Sequence, residues 1–182
     1  EPFTAMLQGA GIKAQSGKRY TFVVKKPIEM EEGDKKVGLY PSNALKISYT
    51  IEFDHPLVKR QSYTISLTDS LFEKEISRAR TFGFLDEVNY LKQNGFARGG
   101  SLENAVVLDQ DKILNDEGLR YADEFVRHKV LDCIGDLSLL GMPFIGHIVA
   151  YKSGHALNHA LLRRFIDQKS CWETVQTPVV SP

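Results

Sequence analysis

The stretch His128-Lys129-Val130-Leu131-Asp132-Cys133-Ile134-Gly135-Asp136 sets an imidazole and two carboxylates at intervals of four residues. At about 100° per residue in a helix, only ~80° separates the first from the last, so all three share one face. An imidazole nitrogen and a carboxylate oxygen one turn apart can converge on a small cation, and zinc accepts that pair. The same spacing also makes an ordinary ion pair on a solvated face, and spacing alone does not choose between the two. The neighbours favour a metal. Phe125 lies on the same side, Lys129 flanks it, and the opposite side carries the apolar stripe Val126, Val130, Ile134 and Leu137. A helix with such a stripe has no stability need for a second, ordered row of titratable groups. Catalytic zinc usually takes three protein ligands, and this segment offers two. His55, His147 and His159 are candidates for a third, but a mid-strand place for His147 and a solvated helix face for His159 are the plainer expectations.

Ser153-Gly154-His155 puts another imidazole at a strand-to-helix turn, where side chains point toward the ends of sheets. Near a carboxylate such as Asp136 its protonated form is favoured. That suits a general acid or a clamp on a developing oxyanion, with a surface histidine at a helix start as the alternative. Thr81-Phe82-Gly83-Phe84 offers a ligand a hydroxyl and an aromatic face, or else ends a helix with two core phenylalanines. Cys133 leans toward the core side and reads as a buried, inert thiol.

The elements that must hold these groups are legible in outline. Residues 1 to about 17 read as a short apolar helix stopping at Gly9-Ala10-Gly11, then a polar connector, and are expected to be the tail of a preceding domain. Residues 18–182 form the second domain. Its strands begin with Tyr20–Val24 and Val37–Tyr40 around the turn Glu32-Gly33-Asp34. Leu45, Ile47, Tyr49, Ile51 and Phe53 then alternate with polar residues, as in a half-buried strand, and Tyr63, Ile65 and Leu67 repeat the pattern. Ser70 and Glu73 have capping-box spacing for a helix to about Arg80. A short helix through Leu85, Val88 and Leu91, the pair Gly99-Gly100 and the β-rich Ala105–Leu108 suggest a β-α-β insert at about 81–108. The main helix runs from an Asp123 N-cap to Gly141-Met142-Pro143. A strand from Phe144 to Lys152, a helix from His155 to about Lys169 and a last strand from Trp172 to Gln176 complete the chain. The expected class is α+β: a two-layer α/β sandwich with a mostly antiparallel or mixed sheet packed against helices.

Composition narrows the partners. Among 182 residues, Lys plus Arg and Asp plus Glu both number 23, so a nucleic acid or an anionic membrane is a poor partner. Apolar residues at 42% and charged residues at 25% are ordinary for a globular protein and exclude neither an enzyme nor a binding module. Two cysteines are too few for a disulfide scaffold, which points to a reducing cytoplasm. No apolar run approaches the ~18 residues of a membrane-spanning helix.

The blocks Ile76–Phe84, Gly99-Gly100-Ser101, Leu114-Asn115, Asp123–Leu137 and Ala150–Asn158, in this order, closely resemble the UDP-3-O-acyl-N-acetylglucosamine deacetylases, the zinc amidohydrolases of the committed step in lipid A synthesis. The resemblance runs from residue 1 to about Trp172. It implies that His128 and Asp132 are zinc ligands, that Asp136 orients His155, and that protonated His155 stabilises the oxyanion and assists the leaving amine. It further implies that Thr81 hydrogen-bonds the oxyanion and that Lys129, Phe82 and Gly100 contact substrate. Leu85, Val88, Ala97, Ser101, Ala105 and Val107 would lie along an apolar passage for the acyl chain. One zinc ion is implied, with Fe2+ accepted by the same ligand types. The implied partners are UDP-3-O-acyl-N-acetylglucosamine and an N-terminal domain of the same protein, in a monomer.

The family's third ligand and its glutamate base come as a Glu-His pair in the first domain, and that dipeptide does not occur in these 182 residues. The chain is therefore expected to be the second domain with the last helix of the first, and inactive or nearly so alone. A non-catalytic module binding a nucleotide sugar or an acyl chain is the competing reading.

Overall fold

The structure, a computed structural model, describes residues 2–177 apart from 14, 16 and 97, and the side chains of all these but Pro2, Asn89, Leu91, Lys92 and Thr177. Helix α1 (Pro2–Ala10) is followed by β1 (Arg19–Val24), β2 (Ile28–Glu32) and β3 (Lys35–Tyr40). The β2–β3 hairpin turns at Gly33, whose φ of 62° is a conformation glycine adopts without a Cβ clash. Strands β4 (Leu45–Glu52) and β5 (Arg60–Ser66) form the next antiparallel pair. The alternation read in β4 sorts its two faces as expected. Ile47, Tyr49 and Ile51 are buried, while the other face bears the hydroxyl pairs Ser48–Thr64 and Thr50–Ser62.

Helix α2 (Asp69–Leu71) lasts one turn and opens into a π turn over Phe72–Ile76. The expected Ser70–Glu73 capping box is not the cap. Thr68 accepts the Leu71 N–H instead, and the chain leaves the α path when the Ser77 N–H bonds Phe72 O at 2.8 Å. The insert follows as β6 (Thr81–Phe84), α3 (Leu85–Gln93) and β7 (Ala105–Leu108), with β6 and β7 paired in parallel as a sheet of their own. Thr81–Phe84 is thus a strand rather than a mere helix stop.

Helix α4 (Glu124–Ser138) leads to β8 (Phe144–Tyr151), α5 (His155–Asp167) and β9 (Trp172–Thr177). Strand β8 organises the sheet. Antiparallel β3 and parallel β4 flank it, and its first two residues pair in parallel with β1, which β9 covers in turn. The result is one seven-stranded mixed sheet, with α4 and α5 packed against it in the expected two-layer α+β arrangement. Gly146, where β8 passes from β1 to β4, has no room for more: a Cβ there would stand 2.6 Å from Val24 Cγ2.

One expectation for α4 is corrected. Its buried stripe is Val126, Val130, Cys133 and Leu137, with Ile134 half-buried, because the chain keeps the steps of four, three and four that hold one narrow seam on the sheet. Asp123 is the N-cap residue as expected, but its side chain makes no capping bond; its carboxylate accepts from Arg127 Nε at 2.6 Å.

The start of α4 is tied down by a buried ion pair. Glu124 Oε1 accepts from the Arg80 N–H and Nε at 2.9 Å each, and Oε2 from Arg80 Nη2 at 3.0 Å and the Arg120 N–H at 2.7 Å. Burial pushes the Glu124 carboxyl up, but these bonds outweigh it and hold the group below the usual carboxylate range. Glu124→Ala is expected to destabilise the fold by about 3–5 kcal/mol, since it leaves a buried guanidinium short of its acceptors. A folded pKa below the unfolded value of about 4.3 means the contribution is complete above that pH and fades as pH falls through the folded pKa. Chemical denaturation of wild type and variant should therefore give a constant gap from neutrality to about pH 5, narrowing as the pH falls further.

Candidate active site

One face of α4 and the first two turns of α5 carry the titratable groups. His128 Nδ1 lies 3.3 Å from Ala79 O, and a carbonyl only accepts, so the ring proton sits on Nδ1. Burial, set against the Asp132 charge and the Ala79 bond, pushes the His128 pKa down. A neutral ring protonated at Nδ1 presents its lone pair at Nε2. That atom lies 3.2 Å from Asp132 Oδ1, so a nitrogen and a carboxylate oxygen face a common point, as a metal ligand pair requires. Asp132 Oδ2 accepts from Lys129 Nζ at 2.8 Å and lies 3.8 Å from His155 Nε2.

Asp136, one turn further, is buried between the two helices. Its Oδ1 lies 2.9 Å from His155 Nδ1 and 2.8 Å from His159 Nε2, and its Oδ2 accepts from Asn158 Nδ2 at 2.8 Å. Burial raises the Asp136 pKa, but the bonds from Asn158, His155 and His159 prevail and hold it low. The carboxylate is ionised and accepts only, so His155 is protonated at Nδ1 and His159 at Nε2. Behind it, Ser153 Oγ donates to Asn158 Oδ1 at 2.7 Å, and the Tyr49 hydroxyl donates to Ser153 O at 2.7 Å. His155 follows the left-handed Lys152 (φ 52°) and extended Gly154 as the first residue of α5.

Among the described residues, Asp136, His155 and His159 are the trio of metal-capable side chains whose ligand atoms lie within 4.8 Å of one another. Their hydrogen bonds argue against a cation between them, since both nitrogens aimed at Asp136 carry protons. His128 Nε2 with Asp132 is the pair left free to ligate.

The remaining expected site residues distribute unevenly. Phe82 packs edge-on against Phe53, Phe125 and, at 6.4 Å, His128, which brings it to the cluster. Thr81 is exposed at the start of β6, two residues after the carbonyl bonded to His128. Leu85 and Val88 are half-buried on α3, and Val107 is buried in β7, where its N–H donates to Asn115 Oδ1 at 3.0 Å. Gly100 and Ser101 are exposed in a turn where Asn104 Oδ1 accepts the Ser101 N–H, and among the described residues no hydrogen bond joins them to the cluster. Ala97 lies outside the described residues. Of the other histidines, His55 bonds Asp109 O beside Phe84, and His147 bonds Ser48 on the open face of the sheet.

Four residues have a place in or beside the cluster that the sequence did not assign them. His159 is only partly solvated and joins the cluster, Asn158 completes the Asp136 shell, and Arg80 with Glu124 anchors the loop before Thr81. The spacing of His155 and His159, one turn apart, was the available signal for the first. A groove of about 420 Å³ runs past His159 between Leu139 and Leu140 and the α5 residues Leu162, Arg163 and Ile166.

A mixed sheet under two helices, carrying an imidazole–carboxylate pair open to a cation beside a histidine held by a second carboxylate, is an α+β domain with a metal-competent acid–base cluster. The chain belongs to the UDP-3-O-acyl N-acetylglycosamine deacetylase family, whose model matches residues 1–167. It is 53% identical over 174 residues to a UDP-3-O-acyl-N-acetylglucosamine deacetylase of Myxococcus xanthus, covering 96% of this chain and 55% of the relative. Proteins of the same name from Syntrophus aciditrophicus (53% over 173 residues, 95% and 55%) and Teredinibacter turnerae (49% over 176 residues, 96% and 58%) are also similar. The chain spans little more than half the length of these relatives.

Cys133 lies beside this cluster but takes no part in it. Burial, with the Asp136 and Asp132 charges adding to it, pushes its thiol up to about 12. Cys171 is only half-buried. Brief alkylation of native protein at mildly alkaline pH should modify Cys171 and spare Cys133 until the protein is unfolded. Equal labelling of the two peptides by mass spectrometry would refute the burial argument.

Proposed function

We propose that the protein containing this chain is a zinc-dependent, cytoplasmic deacetylase that removes acetate from the 2-amino group of UDP-3-O-acyl-N-acetylglucosamine, the committed step of lipid A synthesis. The observation that carries the reading is the pairing of family membership with the local geometry: His128 Nε2 and Asp132 facing one point, and His155 held by Asp136 beside it.

In this reading His128 and Asp132 hold the ion, and either zinc or ferrous iron suits the donor set. When bound, the ion supplies Lewis acidity to the amide carbonyl and the attacking water. His155, its Nδ1 proton committed to Asp136, offers Nε2–H first to the developing oxyanion and then to the departing amine as the C–N bond breaks. The Thr81 hydroxyl is a second donor to that oxyanion. Lys129 reaches the substrate side of Asp132, Phe82 gives the sugar an apolar face, and Leu85, Val88, Ala97, Ser101 and Val107 with Gly100 belong to the acyl-chain side of the insert.

The reading includes a division near residue 17, with α1 packing in a preceding domain. It is supported by the apolar side chains of Phe3, Met6 and Leu7, which stand 71%, 69% and 68% exposed. Cytoplasmic residence is supported by the free thiols of Cys133 and Cys171. No helix among the described residues is long and apolar enough to cross a membrane.

Two measurements test the proposal. The full-length protein should carry one zinc ion and release acetate from UDP-3-O-acyl-N-acetylglucosamine, and His128→Ala should lose both metal and turnover; unchanged zinc content rejects the ligand assignment. The 182-residue chain alone offers two ligands and no Glu-His pair, and should bind zinc weakly and turn over at a trace of the full-length rate. Near-normal turnover by the isolated chain contradicts that part of the reading.

A further inference from the structure

His159 has no part in the chemistry just described, yet it occupies the same oxygen as the histidine that does. We propose that His159 is a positioning residue, which through the shared Oδ1 of Asp136 fixes the carboxylate that aims His155. The proposal rests on the deacetylase reading above.

His155 is poorly held by its own surroundings. Its side chain is 58% exposed at the first position of α5, and its close polar contact is the 2.9 Å bond from Nδ1 to Asp136 Oδ1. The aim of the ring is therefore only as good as the aim of the carboxylate. Asn158 secures Oδ2 and is itself buried, but one bond to one oxygen leaves the carboxylate free to rock about that contact. His159 supplies the second restraint. It stands one turn along α5 from His155, with ring centroids 6.0 Å apart and planes at 41°, so the rings do not stack and each approaches Oδ1 along its own direction. A carboxylate oxygen has lone pairs for two such donors, and the second keeps water from taking that place. The same bond spans from α5 to α4, so it also fixes the helix bearing His155 against the helix bearing His128 and Asp132.

The test uses the metal-loaded, full-length protein with His159→Leu and His159→Gln. Leucine removes the donor, while the glutamine amide nitrogen reaches roughly the place of Nε2. The leucine variant should lose on the order of tenfold in kcat, the scale of one hydrogen bond to a charged group, with KM and metal content unmoved. The glutamine variant should keep wild-type kcat. In protein labelled with 15N-histidine, the His155 Nδ1–H resonance should stand at low field in wild type and the glutamine variant and broaden into solvent exchange in the leucine variant. A leucine variant with wild-type kcat, or a glutamine variant as slow as the leucine one, overturns the proposal. If the wild-type protein releases no acetate, the deacetylase reading fails on its own, and the resonance decides alone: unchanged in the leucine variant it overturns the positioning role, broadened it upholds it.

Discussion

The carboxylate of Glu124 governs much of what surrounds it. It is wholly buried, and it receives four hydrogen bonds from Arg80 and Arg120, residues that lie far apart in the chain until this one group collects them. A buried ion pair is worth keeping only when its desolvation is met by such a full set of bonds. The consequence for the site is positional. Fixing Arg80 fixes Ala79, whose carbonyl sets the tautomer of His128, and Thr81 and Phe82, which open the insert. The orientation of one imidazole and the entry of β6 are thus two results of a single interaction one turn earlier on α4.

Around this anchor the two carboxylates of the cluster are handled differently. Asp136 is saturated by neutral or proton-bearing donors and cannot take on another role without losing one. Asp132 divides its oxygens between the Lys129 ammonium and the open side of His128. One carboxylate is therefore committed to holding a side chain in place, and the other keeps an oxygen available. With Lys plus Arg equal to Asp plus Glu over the chain, this contrast is local in origin and owes nothing to net charge.

What could be read from sequence was whatever depends on short periods. The row at 128, 132 and 136 followed from one helical angle, β4 from strict alternation, and the hairpin at Gly33 and the stop at Gly141 from the backbone freedom of glycine. Failures came where a longer-range contact chose between local options. Thr68 rather than Ser70 caps α2, because the chain enters a π turn that no side-chain pattern announces. Cys133 takes the sheet face in place of Ile134, about 100° away around the helix, on a helix that also has to bury Asp136. His159 looked like surface because the oxygen it meets lies 23 residues away, and Arg80 with Glu124 were invisible as a pair at a separation of 44. Nothing in either flanking sequence records such a partner.

Among the described residues the strands of the insert pair with each other and with no strand of the main sheet, and Leu108 of β7 also bridges Ile113. A residue added to or removed from the loop between α3 and β7 therefore shifts no register among the seven strands beneath α4 and α5, and the coupling to the cluster passes chiefly through the ring of Phe82. The architecture separates two kinds of change. Under the function proposed above, the insert could be lengthened, shortened or relined to suit a different guest while the wall bearing His128, Asp132 and His155 keeps its geometry, and selectivity and chemistry would then be free to evolve at different speeds.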